Sequence, residues 1–123
     1  MSARARKKIL FVDDEKQWRD KVCASLTEAG FEVLAASDGT EAMRQAADHP
    51  LDLMIVDEDL AGESGIMLSK YLRRNHPDVP TMLYTCTEQD TNTALDVMSQ
   101  AADLCLPKGS MAELIVNVGC YVR

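Results

Sequence analysis

Apolar residues in this chain fall into short unbroken runs, separated by longer stretches in which they recur every three or four positions. The runs predict strands and the recurrences predict helices. Residues 8–12 (KILFV) read as a first strand. Residues 15–29 read as a helix with Trp18, Val22, Leu26 and Ala29 on one stripe, closed by Gly30. Residues 32–36 (EVLAA) form a weaker second strand, and Thr40 to Asp48 a short helix ended by Pro50. Residues 52–56 (DLMIV) are a third strand, apolar enough for burial on both faces. A loop, Ala61-Gly62-Glu63-Ser64-Gly65, leads into a helix through Asn75, with Ile66, Leu68 and Leu72 close to one stripe. His76-Pro77-Asp78-Val79-Pro80 breaks the pattern. Residues 81–85 (TMLYT) predict a fourth strand, Asp90 to Gln100 a helix, and 104–106 a short fifth strand. Ser110, with Glu113 three residues on, makes a capping box for a last helix that runs to the end of the chain. Repeated β-then-α units with short connections imply an α/β fold, a doubly wound (βα)5 three-layer sandwich with a mostly parallel sheet between two layers of helices.

The chain has 123 residues, enough for one domain and not for two, so residues 1–123 are expected to form one unit with 1–7 as a flexible lead-in. A net charge of −7 argues against direct binding to nucleic acid or to an anionic membrane. The basic cluster Arg4-Ala5-Arg6-Lys7-Lys8 reads as a solvated approach to the first strand. Four cysteines, at 23, 86, 105 and 120, form no C-x-x-C pair, which removes zinc and thioredoxin-like sites. Their apolar neighbours suggest small buried hydrophobes. No run approaches the about 18 apolar residues of a membrane span, and no signal peptide is visible. A reducing, cytoplasmic setting is therefore expected. No G-x-G-x-x-G follows a strand and no P-loop is present, so a nucleotide cofactor is not expected.

Charge at the strand ends changes the picture most. Asp13-Asp14 follow the first run, Asp57 the third, and Lys108 stands just after the fifth. Charges at the carboxyl ends of neighbouring parallel strands meet in one crevice. Adjacent acids there repel, and a bound Mg²⁺ relieves the repulsion with hard oxygen ligands. A carboxylate beside such an ion, as Asp57 is placed, is a nucleophile suited to accept a phosphoryl group. Thr85 ends the fourth strand with a hydroxyl in reach of a phosphoryl oxygen, and Lys108 offers a point charge. Taken singly, the acid pair reads as a solvated turn, Thr85 as a strand residue and Lys108 as a surface lysine. Their order along successive strands is what gives them meaning.

With FVDDE at 11–15, DLMIVDEDLAGESG at 52–65, Thr85-Cys86 and LPKGS at 106–110, the chain closely resembles the receiver domain of two-component response regulators, CheY-like in type. The resemblance implies a five-stranded parallel sheet of order 2-1-3-4-5, flavodoxin-like, with five helices. It implies that Asp57 is the phosphoacceptor, Asp14 a direct Mg²⁺ ligand and Asp13 a ligand through water. Asp59 would give a backbone carbonyl to the metal, Thr85 would be the switch hydroxyl, and Lys108 would contact the phosphoryl group. The implied partners are a sensor histidine kinase or a histidine phosphotransfer protein upstream, and an effector domain or protein downstream. The implied switching face comprises the fourth helix, fifth strand and fifth helix, through which a homodimer is also conceivable. Such a domain promotes its own phosphorylation and dephosphorylation and is not a multiple-turnover enzyme. Three departures stand out: Cys105 where the family places an aromatic, Ala61 where its loop often has proline, and Gly109-Ser110 after the lysine.

Two other readings share some of these features. A phosphorylation-independent module that kept the fold is suggested by Cys105. A haloacid-dehalogenase-like phosphatase is suggested by the Asp57-Glu58-Asp59 spacing, although its nucleophile would end the first strand. His49 and His76 precede prolines and read as helix-end residues, and the seven methionines read as core packing.

Overall fold

The computed structural model describes residues 6–60, 62–85, 104–107 and 111–122. Buried strands set the architecture. In β1 (Lys8–Val12) every residue from Ile9 onward is buried, as is the whole of β3 (Leu53–Asp57). Successive side chains on a strand point to opposite faces, so each of these strands feeds two cores. On one face Leu10, Val12, Met54 and Val56 pack with Ala42 and Ala46 of α2 (Gly39–Asp48) and with Leu68 and Leu72 of α3 (Gly65–Asn75). On the other, Ile9, Phe11, Leu53 and Ile55 pack with Val22 and Leu26 of α1 (Lys16–Glu28). Leu114 and Val118 of the C-terminal helix (Met111–Tyr121) complete that second core.

β2 (Glu32–Ala36) lies at one edge of the sheet. A two-stranded hairpin, β4 (Asp59–Leu60) with β5 (Glu63–Ser64), follows β3 and stands apart from the sheet. β6 (Thr81–Thr85) and β7 (Leu104–Pro107) complete the order β2-β1-β3-β6-β7, with every pairing parallel. With the hairpin counted apart, this is the order 2-1-3-4-5, and the doubly wound architecture is borne out.

Several local expectations hold. Gly30 takes φ +105° just after the C-cap of α1, a left-handed conformation that suits glycine. His49 and His76 are the C-caps of α2 and α3. Other details differ. The third strand runs through Asp57 instead of stopping at Val56, because Asp57 still pairs with Tyr84. The segment read as a loop before α3 contains the second strand of the hairpin. Ala29 is exposed, since it sits at the C-cap and not on the inward stripe. Cys120 is exposed and Cys23 half-buried, so the cysteines do not all behave as core residues. Burial pushes the Cys23 thiol above its ordinary pKa, and the Asp20 charge adds to this, which disfavours the reactive thiolate. Met54 and Met82 are core, but Met67 is exposed. The helix expected over Asp90–Gln100 and the capping Ser110 lie outside the described residues. Among the described residues, no helix is long and apolar enough to cross a membrane.

Candidate functional site

Parallel pairing brings the strand ends together. Val12 of β1 pairs with Val56 of β3, so Asp13 and Asp57 emerge side by side. One carboxylate oxygen from each of Asp13, Asp14 and Asp57 can be chosen so that all lie within 4.8 Å of one another. Asp13 is 0% and Asp57 2% exposed, while Asp14 faces solvent. Gathering three carboxylates so closely, two of them buried, is unfavourable without positive charge nearby. The donor set is hard oxygen throughout, the set that suits Mg²⁺ or Ca²⁺. Opposed oxygens around an octahedral Mg²⁺ stand about 4.2 Å apart, so the cluster has the dimensions of one coordination sphere. The acids therefore fit a divalent cation.

Main-chain contacts place each acid. The Asp13 amide donates to the Ala36 carbonyl (3.1 Å), which ties the end of β1 to β2. Its Oδ1 accepts from the Glu15 amide (2.9 Å), and its carbonyl accepts from Arg19 Nη1 (2.8 Å). Asp57 Oδ1 accepts from the Asp59 amide (3.1 Å), which orients the carboxylate from the loop that follows it. The Glu58 amide donates to the Tyr84 carbonyl (2.8 Å), and the Gly65 amide to the Glu58 carbonyl (2.9 Å). A Cβ on Gly65 would collide with the Asp57 carbonyl, so only glycine lets α3 begin this close to the acid.

Below the acids, on the α1 side, lies an aromatic layer. Trp18 stacks over Tyr84 with ring centroids 6.4 Å apart, and Tyr84 meets Phe11 edge-on at 6.3 Å. Tyr84 is the register partner of Asp57 and directly precedes Thr85.

The structure thus brings Asp13, Asp14 and Asp57 together, with Asp59 two residues on at the start of the hairpin. Thr85 ends β6 and pairs with Pro107, the residue before Lys108. The Thr85 hydroxyl, the Cys105 side chain and Lys108 lie outside the described residues. Two contributors went unread in the sequence. Arg19 looks like any polar residue on a helix, and Glu63 makes its contact with Gly39 across 24 positions. Neither spacing carries a local signal.

An open parallel sheet of this order, with an acidic site where the strand order reverses, defines a doubly wound α/β domain that works at its topological switch point. The response regulator receiver domain model matches residues 9–118, and the chain belongs to that family. It is 31% identical over 119 residues to the phosphate regulon transcriptional regulatory protein PhoB of Pseudomonas aeruginosa, covering 95% of this chain and 52% of that protein. It is 31% identical over 117 residues to the alkaline phosphatase synthesis transcriptional regulatory protein PhoP of Bacillus subtilis, covering 95% of this chain and 49% of that protein. The chain therefore spans about half the length of these curated relatives. Among solved structures it resembles the response regulator TrrA of Thermotoga maritima in complex with Mg²⁺-BeF, with a TM-score of 0.83, 31% identity, and coverage of 94% of this chain and 98% of that one. It also resembles the chemotaxis protein CheY4 of Vibrio cholerae, with a TM-score of 0.85, 27% identity, and coverage of 95% and 99%.

Proposed function

We propose that Asp57 accepts a phosphoryl group from a phosphohistidine on a sensor kinase or a histidine phosphotransfer protein. The observation that carries this reading is the triad itself: a buried carboxylate at the end of β3, within 4.8 Å of two further acids. An oxygen of Asp57 forms the new P–O bond as the P–N bond of the phosphohistidine breaks, and the imidazole leaves with the electron pair. Asp14 would hold a Mg²⁺ ion directly, Asp13 through water, and Asp59 through its carbonyl. When bound, Mg²⁺ offsets the charge on the phosphoryl oxygens. The Asp59 amide, donating to Asp57 Oδ1, keeps the carboxylate in one orientation before attack. Thr85 and Lys108 would contact the phosphoryl group, as their places in the sequence after the apolar runs of β6 and β7 suggest.

The domain carries one phosphoryl group at a time and is a switch, not a multiple-turnover enzyme. Its output runs through β7 and the C-terminal helix, where Val116 is 66% and Tyr121 39% exposed. Exposed apolar side chains on that helix suit an effector or a second copy of the domain. The dehalogenase-like reading is less well supported, because Asp57 ends β3, the third strand in chain order, and the nucleophile of that chemistry would end the first.

The test is direct. With Mg²⁺ and acetyl phosphate, or with beryllofluoride, the wild-type protein gains a modified state by mass spectrometry or NMR. Asp57→Asn gains none. Equal modification of both proteins would overturn the assignment.

A further inference from the structure

Arg19 makes a contact that the roles above leave unused. Its Nη1 donates to the carbonyl of Asp13 at 2.8 Å, and its side chain is half-buried where α1 begins. That carbonyl belongs to the peptide that joins Asp13 to Asp14. A peptide unit is planar, so fixing its tilt fixes one backbone torsion of each flanking residue. The directions of the Asp13 and Asp14 carboxylates follow from those torsions. Two further restraints on this turn act elsewhere: the Asp13 amide on Ala36, and the Asp13 carboxylate with the Glu15 amide. Arg19 acts on the link between the two acids.

The guanidinium is itself anchored. The Arg19 amide donates to the Glu15 carbonyl at 2.9 Å, which closes the first turn of α1. Val22 and Leu26 bury that helix against the sheet. A helix buried against the sheet therefore carries a planar, permanently charged donor to the turn. We infer that Arg19 is a positioning residue for the cation site, holding the Asp13–Asp14 peptide so that both carboxylates face one ion. This rests on the proposed role of the acids.

Charge and geometry make different demands. A cation near the triad also eases repulsion among the acids, and Lys would supply that as well as Arg. Positioning requires an N–H donor at the carbonyl, which citrulline, the uncharged isostere of Arg, offers at the same reach. The experiment titrates MgCl₂ alone into ¹⁵N-labelled protein and follows the Asp14 and Glu15 amide shifts. Arg19→Ala should weaken Mg²⁺ binding about tenfold, whereas Arg19→citrulline should stay within about threefold of wild type. Lys16→Ala, which removes an exposed α1 cation paired with Asp20, should leave the affinity unchanged. At saturating Mg²⁺, labelling of Arg19→Ala by acetyl phosphate should recover the wild-type extent, and its helical circular dichroism should match wild type.

An Arg19→Ala affinity within about twofold of wild type would overturn the inference. So would an Arg19→citrulline affinity as weak as that of Arg19→Ala, since charge alone would then account for the effect. Mg²⁺ affinity is read here without any phosphoryl transfer. Failure of Asp57 labelling in the wild type would therefore count against the proposed function, while the affinity series would still decide the role of Arg19.

Discussion

Gly65 is pressed against the main chain of the acid it helps to place. A Cβ there would stand 2.6 Å from the Glu58 Cα and would overlap the Asp57 carbonyl. Both obstacles are backbone, so no side chain can swing aside. The added methyl must push α3 away from β3 or shift the Asp57–Glu58 peptide. Overpacking of this kind destabilises by about 1–3 kcal/mol, and Gly65→Ala should fall in the upper part of that range. Because the displaced peptide carries Asp57, labelling by acetyl phosphate should drop even in buffer where the variant is fully folded. Urea melts alongside labelling at low denaturant would show both effects. A variant as stable and as readily labelled as wild type would mean that the turn relaxes freely.

The hairpin between β3 and α3 shows how elements hold the site in place. The Glu63 carboxylate accepts from the Gly39 amide at 3.0 Å, so β5 is pinned to the N-terminus of α2. That end also uses Asp38, whose side chain accepts from the Glu41 amide at 2.8 Å. An anion at a helix N-terminus is favoured by the partial positive charge there. Removing it in Glu63→Ala should destabilise the fold by about 1 kcal/mol and loosen the hairpin on which Asp59 sits. Faster hydrogen exchange at the Gly39 amide, with little change at the core of β3, would confirm a local pin. Uniformly faster exchange would show that the contact serves global stability instead. The same hairpin marks the limit of what the sequence discloses. The five strands of the sheet and the helices α1 to α3 were legible because runs of apolar residues, Gly30 and the His-Pro breaks are local signals. Two-residue strands have no period to detect, and the Glu63–Gly39 contact spans 24 positions. Asp13, Asp14 and Asp57 could be read because each follows an apolar run. Arg19 could not, because its role depends on how the turn after β1 folds back onto α1.

At the scale of the whole molecule, the fold gathers like charges at the ends of its most buried strands. β1 and β3 are buried on both faces by two cores, and this rigidity forces Asp13 and Asp57 to their fixed, nearly dry positions. Three carboxylates crowded together repel one another, and a bound cation would ease that repulsion. Two linked outcomes are expected. Mg²⁺ bound to the folded chain and not to the unfolded one should, at a hundredfold excess over Kd, add about 2.7 kcal/mol, fully reversed by EDTA. In the absence of metal, Asp57→Asn should melt above the wild type, because one of three crowded negative charges is gone. The same variant should gain less from Mg²⁺, having lost a ligand. The cycle of four melts, two proteins with and without Mg²⁺, separates these effects. A metal-free Asp57→Asn protein that melts below wild type would show that the carboxylate is held by favourable contacts stronger than the repulsion, and that the site costs the fold nothing.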